Sequence, residues 1–374
     1  MHTELCDRLG CEVPIFAFTH CRDVVAAVTR AGGFGVLGGS TFSPEQLETE
    51  LAWIDAHTDG KPYGVDVLIP TVYDANAEAS PEQLEARIPA EHREFLDKLL
   101  AAHGVPELEE DERARLRREL AAGRGGMTPG GARKLIDVAL QHPQVTFIVS
   151  ALGIPPADLT ASLKERGIVV GAMCGKARHA QKQVEAGVDV IIAQGTEAGG
   201  HTGEIATMVL VPEVVSVVAG RAAVLAAGGI FHGSQIAASL AMGAQGVWLG
   251  TIWLGTAESE LDDFEREVLI RTGSDGTVRS KARTGKTVRM TRSQLSDAWN
   301  APDAPDYLPT PLQGVLHNEA HARVVRARNA DLYSFPVGQS VCAVTKQTTV
   351  AEVMYKLQEQ YGEALERLFE LAEA

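Results

Sequence analysis

Short apolar runs alternate with amphipathic segments along most of the chain, and most of these runs are followed by glycine. The runs are short and rich in β-branched residues, which is typical of buried parallel strands. We predict strands over residues 13–18, within 31–40, and over 64–70, 145–149, 168–172, 188–193, 223–226 and 246–249. Helices are expected between them at 24–30, 44–57, 132–141, 157–166, 176–186, near Val214 and at 233–242. Such alternation favours an α/β fold, a (β/α)8 TIM barrel, over an open sheet.

The alternation is interrupted twice. Residues 71 to about 130 carry charged helical patterning, which predicts a helical insertion after strand three that acts as a packing element or lid. Residues 255 to about 335 are Pro-rich and contain a basic run, which predicts a smaller cap region over the barrel mouth. We therefore divide the chain into a barrel at 1–254, a cap at 255–340 and a returning C-terminal segment at 341–374. Its last helix, 350–371, has an apolar stripe expected to pack as the last barrel helix.

Composition narrows the class of protein. The 374 residues carry a formal net charge of −15, which disfavours nucleic acid and anionic membranes as main partners. Five cysteines without paired spacing predict neither a disulfide framework nor a zinc site, so no metal is expected. No apolar run reaches the length of a membrane span, and the N-terminus lacks a signal pattern. We expect a soluble, cytoplasmic protein, and a homo-oligomer remains open.

The stretch from Ala186 to Gly203 is the clearest candidate site. Its apolar first half predicts a buried strand, and its second half is a polar, glycine-rich turn that carries His201. Glycines at 195, 199, 200 and 203 remove the Cβ atoms that would keep a flat ligand from the backbone. The turn after a strand is the usual place for a site in α/β folds. An ordinary βα connection with an exposed histidine is the alternative interpretation.

Two further turns predict a phosphate site. In such barrels the loops after the last two strands often bind phosphate through backbone N–H groups. Here Gly228-Gly229 follows strand seven and Gly250-Thr251 follows strand eight, and Thr251 adds a hydroxyl. The glycines would otherwise serve only to close tight turns.

The residues at the other strand ends favour a flavin over a different phosphorylated ligand. Ala17-Phe18, Gly38-Gly39, Ser150-Ala151 and Gln194 fall where an isoalloxazine ring could lie on small residues and backbone amides. No lysine lies within a strand as a Schiff-base candidate, and no carboxylate pair recurs as Mg²⁺ ligands would. Asp66 and Glu197 are single acids, for which solvation or capping is at least as good an interpretation as catalysis.

His201 is then the leading proton-transfer group. An imidazole with an unperturbed pKa near 6.5 can act as a base near neutrality. Beside a flavin it could abstract a carbon-bound proton, or donate one after hydride transfer. His20 and His232 also follow strands and remain competitors, whereas His179 lies within a predicted helix.

The sequence resembles the nitronate monooxygenase family, formerly called 2-nitropropane dioxygenases. The resemblance rests on the 194–203 motif around His201, on Ala227-Gly-Gly-Ile230 and on the Leu249-Gly-Thr251 turn. It implies an FMN-binding TIM barrel with a cap and His201 as catalytic base. The implied FMN-site residues are Gln194, Gly199, Gly228, Gly229, Gly250 and Thr251, to which we add Ala17, Phe18, Gly195, Gly200 and Leu249. Asp66 departs from the Asn common in the family and is a doubtful further contact.

Three hypotheses follow. The first is oxidation of alkyl nitronates or nitroalkanes with FMN and O2, and without a metal. The second is an NAD(P)H-dependent FMN oxidoreductase that reduces an enoyl thioester or quinone, because flavin-dependent enoyl-thioester reductases have a similar glycine-histidine loop. In that case the basic run 279–289 could bind a pyrophosphate or a carrier's phosphates, although a solvated basic surface explains it equally well. The third is a flavin-binding protein without turnover.

Overall fold

The computed structural model describes residues 1–69, 79–125 and 128–374. Within these ranges eight parallel strands close into a barrel in the order β1-β2-β3-β4-β5-β6-β8-β9, with β9 returning beside β1. The predicted (β/α)8 barrel is confirmed. In chain order the strands are β1 (Ile15–Thr19), β2 (Phe34–Gly38), β3 (Tyr63–Val67), β4 (Val145–Ser150), β5 (Val169–Cys174), β6 (Val190–Gln194), β7 (Gly200–His201), β8 (Ala223–Ala227), β9 (Gly246–Leu249), β10 (Thr277–Ser280) and β11 (Val288–Thr291).

The helices occupy the predicted spaces between the strands and extend into both interruptions. In chain order they are α1 (Glu4–Leu9), α2 (Arg22–Arg30), α3 (Pro44–His57), α4 (Pro81–Glu85), α5 (Ala90–Ala102), α6 (Glu110–Gly125), α7 (Pro129–Ala139), α8 (Ala157–Glu165), α9 (Ala177–Glu185), α10 (Thr207–Val218), α11 (Gly233–Ala241), α12 (Asp263–Arg271), α13 (Gln294–Trp299), α14 (Leu312–Arg326) and α15 (Val350–Glu373).

Several predicted strand boundaries were wrong, among them the start of strand one and the end of strand three. Strand one was expected from Val13, but β1 begins at Ile15, because Pro14 has no N–H to donate and the Val13 N–H is bonded to the Gly32 carbonyl instead. Strand three was expected to continue to Pro70, but β3 ends at Val67. The proline itself lies outside the described residues.

Alternation along the strands separates two apolar layers. One set of side chains, including Phe16, Phe34, Phe147 and Trp248, forms a single cluster inside the barrel. Residues of α1 join this cluster, so that helix closes the amino-terminal end of the barrel. The alternate set faces outward and packs against the surrounding helices. The carboxyl-terminal end of the barrel therefore remains as the place for a site.

The last helix was predicted to pack along its whole apolar stripe, and only its first half does so. Val350, Met354 and Leu357 are buried against the barrel layer, beside α11 and α2. Gly233 allows this approach, since a Cβ there would meet the Leu357 carbonyl oxygen at 2.3 Å. The prediction that the whole stripe packs is wrong beyond this point, because α15 extends past the barrel. Its distal apolar residues are exposed: Leu365, Leu368, Phe369 and Leu371.

The cap has one apolar core built from two distant parts of the chain. Side chains of the insertion, including Leu84, Leu96 and Leu100, cluster with residues between Phe264 and Tyr333. Helices α4 and α5 contact α14 directly. The insertion thus packs with the cap, while the domain limits at 254 and 340 stay a prediction.

A small antiparallel sheet joins the cap to the barrel. It has the order β10-β11-β7, and β7 belongs to the glycine-rich turn after β6. Val288 pairs with His201, and Arg289 pairs with Gly200. The candidate histidine is therefore fixed between the barrel mouth and the cap.

Candidate active site

The inward-facing residues at the carboxyl ends of the strands form the floor of the site. Gly38 lies beside Asp66 in the β2–β3 register, and Ala227 lies between Gln194 and Trp248. Phe18 completes the ring and stacks on Trp248, with centroids 5.9 Å apart. The sequence analysis did not name Trp248. Its position in β9, two residues before Gly250, is the feature that could have indicated a place at the floor of the site.

The structure places the side chains of two predicted contacts away from this floor. Ala17 and Leu249 belong to the outward-facing set and are buried against the helix layer. Only their backbone faces the strand ends. Phe18 and Gln194, by contrast, have their side chains on the inner face, because they alternate with the outward-facing residues of their strands.

The predicted glycines divide into two groups. A Cβ at Gly200 would meet nothing within 4 Å, and one at Gly250 would meet only the Phe18 carbonyl oxygen, at 3.9 Å. Their backbone is thus open to a ligand. In the second group a Cβ would collide with protein: at Gly195 with Thr207 Oγ1 (2.0 Å), and at Gly199 with the Val337 carbonyl carbon (2.7 Å). Those glycines permit close chain packing.

The two turns proposed for a phosphate start from neighbouring strands. Ala227 pairs with Trp248, so Gly228 and Gly250 lie one and two residues beyond a paired position. Gly228 and Gly229 both have positive φ, 107° and 70°, a conformation that favours glycine. The turns are therefore close together, as a shared phosphate site requires.

Thr251 has a bonding role of its own. Its Oγ1 accepts a hydrogen bond from the Gly338 N–H at 2.9 Å, which ties the returning chain to the barrel. Since the hydroxyl accepts this bond, its proton remains for donation to a ligand. Gly338 also lies against the glycine turn: a Cβ there would meet the Glu197 carbonyl oxygen at 2.6 Å. The returning segment thus closes one side of the site.

His201 is exposed at the mouth, yet protein surrounds it closely. Desolvation lowers its pKa below the usual 6.5; the hydrogen bond to Thr287 opposes this, and the charges of Lys286 and Arg283 add to the lowering. Its Nδ1 lies 3.2 Å from the Thr287 carbonyl oxygen. Since a carbonyl only accepts, Nδ1 carries the proton and Nε2 keeps its lone pair. A neutral imidazole with a free Nε2 can take a proton.

His20 is the second histidine at the mouth. Its Nδ1 lies 3.0 Å from the Gly38 carbonyl oxygen, which again leaves Nε2 with its lone pair. Desolvation lowers its pKa, partly offset by the bond to Gly38. Gly38 is required here, because a Cβ would lie 2.6 Å from the His20 ring. Geometry therefore retains His20 as a competitor of His201.

The other titratable candidates have structural roles. His232 caps α11, where its Nδ1 accepts a hydrogen bond from the Ser234 N–H at 3.2 Å. His179 is exposed on α9. Glu197 accepts hydrogen bonds from the Thr207 N–H and hydroxyl at the start of α10, which is the capping interpretation.

Asp66 is a buried acid on the inner face of the barrel. It is 3% exposed, and its Oδ2 has no hydrogen-bond partner among the described residues. Desolvation raises its pKa to about 8, so the carboxyl is protonated at neutral pH. A protonated carboxyl is a hydrogen-bond donor that faces the site.

The basic run 279–289 does not act as one surface. Arg289 is buried and donates to the Thr196 carbonyl oxygen and to Thr277 Oγ1, each at 2.9 Å. Lys281 and Lys286 are exposed. Arg283 turns toward α14, where its Nη1 lies 3.3 Å from His317 Nε2. The sequence analysis did not name His317, because it lies 34 residues beyond Arg283 in a separate helix and no local pattern links it to the basic run.

These features test whether the residues fit a flat, phosphorylated cofactor. Gly200 and Gly250 leave open space where a Cβ would stand, and the unpartnered Asp66 oxygen faces the same floor. The residues therefore fit such a group. Across residues 1–69, 79–125 and 128–374, no three His, Cys, Asp or Glu side chains are grouped so as to hold a metal ion. No helix in that part of the chain is long and apolar enough to cross a membrane.

Fold and site together define a TIM-barrel oxidoreductase with a histidine in a glycine-rich loop under a cap. The chain belongs to the nitronate monooxygenase family, whose model matches residues 14–360. The predicted family is thereby confirmed, and membership makes the chain a flavin-type oxidoreductase.

Three known proteins illustrate the relationship. A Mycobacterium tuberculosis protein named "Putative monooxygenase Rv1533" is 45% identical, covering 98% of each chain. A second M. tuberculosis protein, a (3aS,4S,5R,7aS)-5-hydroxy-7a-methyl-1-oxo-octahydro-1H-indene-4-carboxyl-CoA dehydrogenase, is 30% identical, covering 79% of this chain and 67% of that one. The solved structure of nitroalkane oxidase from Streptomyces ansochromogenes has a TM-score of 0.79 and 26% identity, covering 97% of this chain and 99% of that one.

Proposed function

We propose that the protein binds FMN and oxidises alkyl nitronates and nitroalkanes with O2, with His201 as the base. The observation that carries this proposal is the His201 imidazole, whose Nδ1 is bonded to the Thr287 carbonyl so that Nε2 is free to accept a proton. The family and the nitroalkane oxidase of similar fold support this substrate class. When bound, FMN supplies the acceptor for the substrate's electrons and, once reduced, their donor to O2.

The residues of the chain would hold the cofactor and move the proton. Backbone N–H groups around Gly229 and Gly250, with the Thr251 hydroxyl, bind the phosphate. Gly200 would let the backbone approach the ring, and protonated Asp66 would be available as a hydrogen-bond donor to it. His201 Nε2 removes the proton from the carbon that bears the nitro group. The lowered pKa keeps this imidazole neutral, and so competent as a base, at neutral pH.

The second candidate function is the NAD(P)H-dependent reduction of an enoyl thioester, which is the second hypothesis from the sequence. The relative named as a carboxyl-CoA dehydrogenase favours this class. The exposed Lys286 near the mouth would suit the phosphates of a carrier.

One anaerobic experiment separates these functions. Flavin-loaded protein is mixed with propyl-2-nitronate, NADH or NADPH, and the flavin absorbance is followed. We expect bleaching by the nitronate and none by nicotinamides. Bleaching by a nicotinamide alone would favour the second function, and no bleaching by either would favour a flavin-binding protein without turnover.

The identity of the base needs a matched pair of variants. His201→Gln is expected to bind FMN but to lose turnover of neutral 2-nitropropane, with His20→Gln as its control at the same mouth. Loss in His20→Gln with full activity in His201→Gln would transfer the role of base to His20.

A further inference from the structure

A cluster of Arg283, His317 and His321 lies in the cap next to the candidate active site. Arg283 belongs to the loop between β10 and β11, four residues before Thr287, whose carbonyl holds His201. α14 presents the two histidines to it. The Arg283 Nη1 lies 3.3 Å from His317 Nε2, and the two imidazole rings stack with centroids 5.7 Å apart.

The charge of Arg283 has no counter-ion in the part of the chain that the structure describes. No acidic residue in these described ranges forms an ion pair with the Arg283 guanidinium, which is only partly exposed. Tyr333 is the nearby acid, but burial raises the pKa of its phenol and its hydroxyl donates to Glu265 Oε1 at 2.8 Å. It is therefore a neutral donor. A desolvated cation without a partner is unfavourable, so this position favours an anionic ligand.

The protonation of His317 shows how this histidine holds Arg283. This side chain is 2% exposed, and burial with the neighbouring charge of Arg283 keeps its pKa well below 6.5, so it is neutral. Arginine can only donate, so His317 Nε2 accepts and the single ring proton must be on Nδ1. Nδ1 has no hydrogen-bond partner among the described residues. Because Nδ1 points away from Nε2 across the ring, His317 holds the guanidinium through Nε2 and does not share an acceptor with it.

The loop that carries Arg283 also contacts His201. The charge of Arg283 is close enough to contribute to the lowered pKa of that histidine, and pairing of Val288 with His201 fixes the loop at the mouth. His321, also partly exposed, stacks between His317 and Tyr333 and stays neutral because burial lowers its pKa to about 4. The only formal charge of the cluster is therefore the guanidinium.

We propose that Arg283, positioned by His317, forms an oxyanion subsite in the cap that binds a carboxylate or phosphate group carried by the substrate at the end remote from the reacting carbon. The subsite rests on the proposed function, which supplies the reacting end. Arginine suits this role because its planar fork can bind two oxygens of one oxyanion. The preferred substrate would then be an acidic molecule.

Binding can be measured without turnover. Flavin-loaded protein is titrated with propanoate and with inorganic phosphate by calorimetry, as wild type, Arg283→Met and Lys281→Met. Lys281 is the matched control, because it is an exposed cation of the same loop. We expect Arg283→Met to weaken the better probe at least tenfold and Lys281→Met less than twofold. Equal weakening in both variants, or no binding to wild type, would overturn the subsite.

The two probes identify the source of the anion. Preference for propanoate indicates a small carboxylated substrate, and preference for phosphate indicates a phosphate-bearing carrier. Arg283→Lys keeps the charge but loses the fork, so it should bind with intermediate affinity. It also serves where Arg283→Met fails to fold, and wild-type affinity in Arg283→Lys together with normal binding in His317→Phe would contradict the geometry.

Turnover separates this subsite from the proposed function. The nitronates of 4-nitrobutanoate and 1-nitropentane are compared, and Arg283→Met should lower kcat/KM for the acid at least tenfold while changing the neutral substrate less than threefold. An equal effect on both substrates would refute the subsite and leave nitronate oxidation intact. Arg283-dependent binding of the probes without turnover of either nitronate would retain the subsite and refute the function.

Discussion

Replacing Asp66 with Asn gives a direct measure of how strongly the barrel interior disfavours a charge at the floor of the site. The wild-type carboxyl is 3% exposed, lacks a partner for Oδ2 among the described residues, and has a pKa raised by desolvation to about 8. The amide side chain of the Asp66→Asn variant would have nearly the same shape and no charge at any pH. The difference in stability between the two proteins should therefore depend on pH.

The sign and size follow from proton linkage. The folded state retains a proton that the unfolded chain releases, so wild-type stability falls as pH rises from the unfolded pKa of about 3.9 to the folded value. With a folded pKa of about 8, the penalty at pH 7 is about 4 kcal/mol, at about 1.4 kcal/mol per pH unit. Asp66→Asn should escape this penalty, which becomes constant above pH 8.

Urea unfolding of both proteins at pH 5, 6, 7, 8 and 9 measures the effect. Asp189→Asn is the control, since Asp189 is a buried carboxylate whose pKa is lowered, whereas that of Asp66 is raised. Desolvation acts against its charge, but hydrogen bonds from Arg8, the Val170 N–H and Lys164 outweigh it and lower its pKa. Removing it should destabilise the protein by a constant amount over this pH range. A stability difference between wild type and Asp66→Asn that stays flat from pH 5 to 8 would refute the reasoning.

Three other predictions follow from the site and its borders. His201→Gln should lower kcat/KM for a neutral nitroalkane by about 10²–10⁴-fold and preserve FMN binding. The acid limb of the wild-type pH profile should lie below pH 6.5, because desolvation lowers the pKa of His201. A limb at or above pH 6.5 would contradict the assignment of His201 as the base. Gly199→Ala should destabilise the protein by about 1–3 kcal/mol, since the new methyl would meet the Val337 backbone. Gly200→Ala has free space for its methyl and should destabilise the protein by only about 1 kcal/mol, because of its positive φ. Equal losses of stability in thermal unfolding would argue against the contact between residue 199 and Val337. Deleting residues 364–374 should leave Tm within about 2 °C, because their apolar side chains are exposed, and a larger loss would show that this end of α15 packs in solution.

The barrel could be predicted because its information is local. Each strand appears as a short apolar run, and helix starts such as Ser43-Pro44 carry their own signal: the Ser43 side chain and Gln46 form the expected capping box. The strand-end rule then placed Gln194, Gly200 and Gly250 at the mouth. What the rule omits is side-chain direction, which turned Ala17 outward.

The rest of the site depends on contacts between distant residues, which no local pattern specifies. Arg283 and His317 meet across 34 residues and two elements, and Gly199 is shaped by Val337 rather than by a ligand. The raised pKa of Asp66 likewise comes from the surrounding barrel wall, because desolvation is its cause. Such properties arise only after folding.

The shared core of the cap has a practical consequence for protein engineering. Leu84, Leu96 and Leu100 reach it from one excursion of the chain, and Phe264 to Tyr333 supply the other side. A chimera that exchanged only the later stretch would leave the leucines of the earlier helices facing foreign side chains. Recombination between relatives should therefore swap both stretches together or neither.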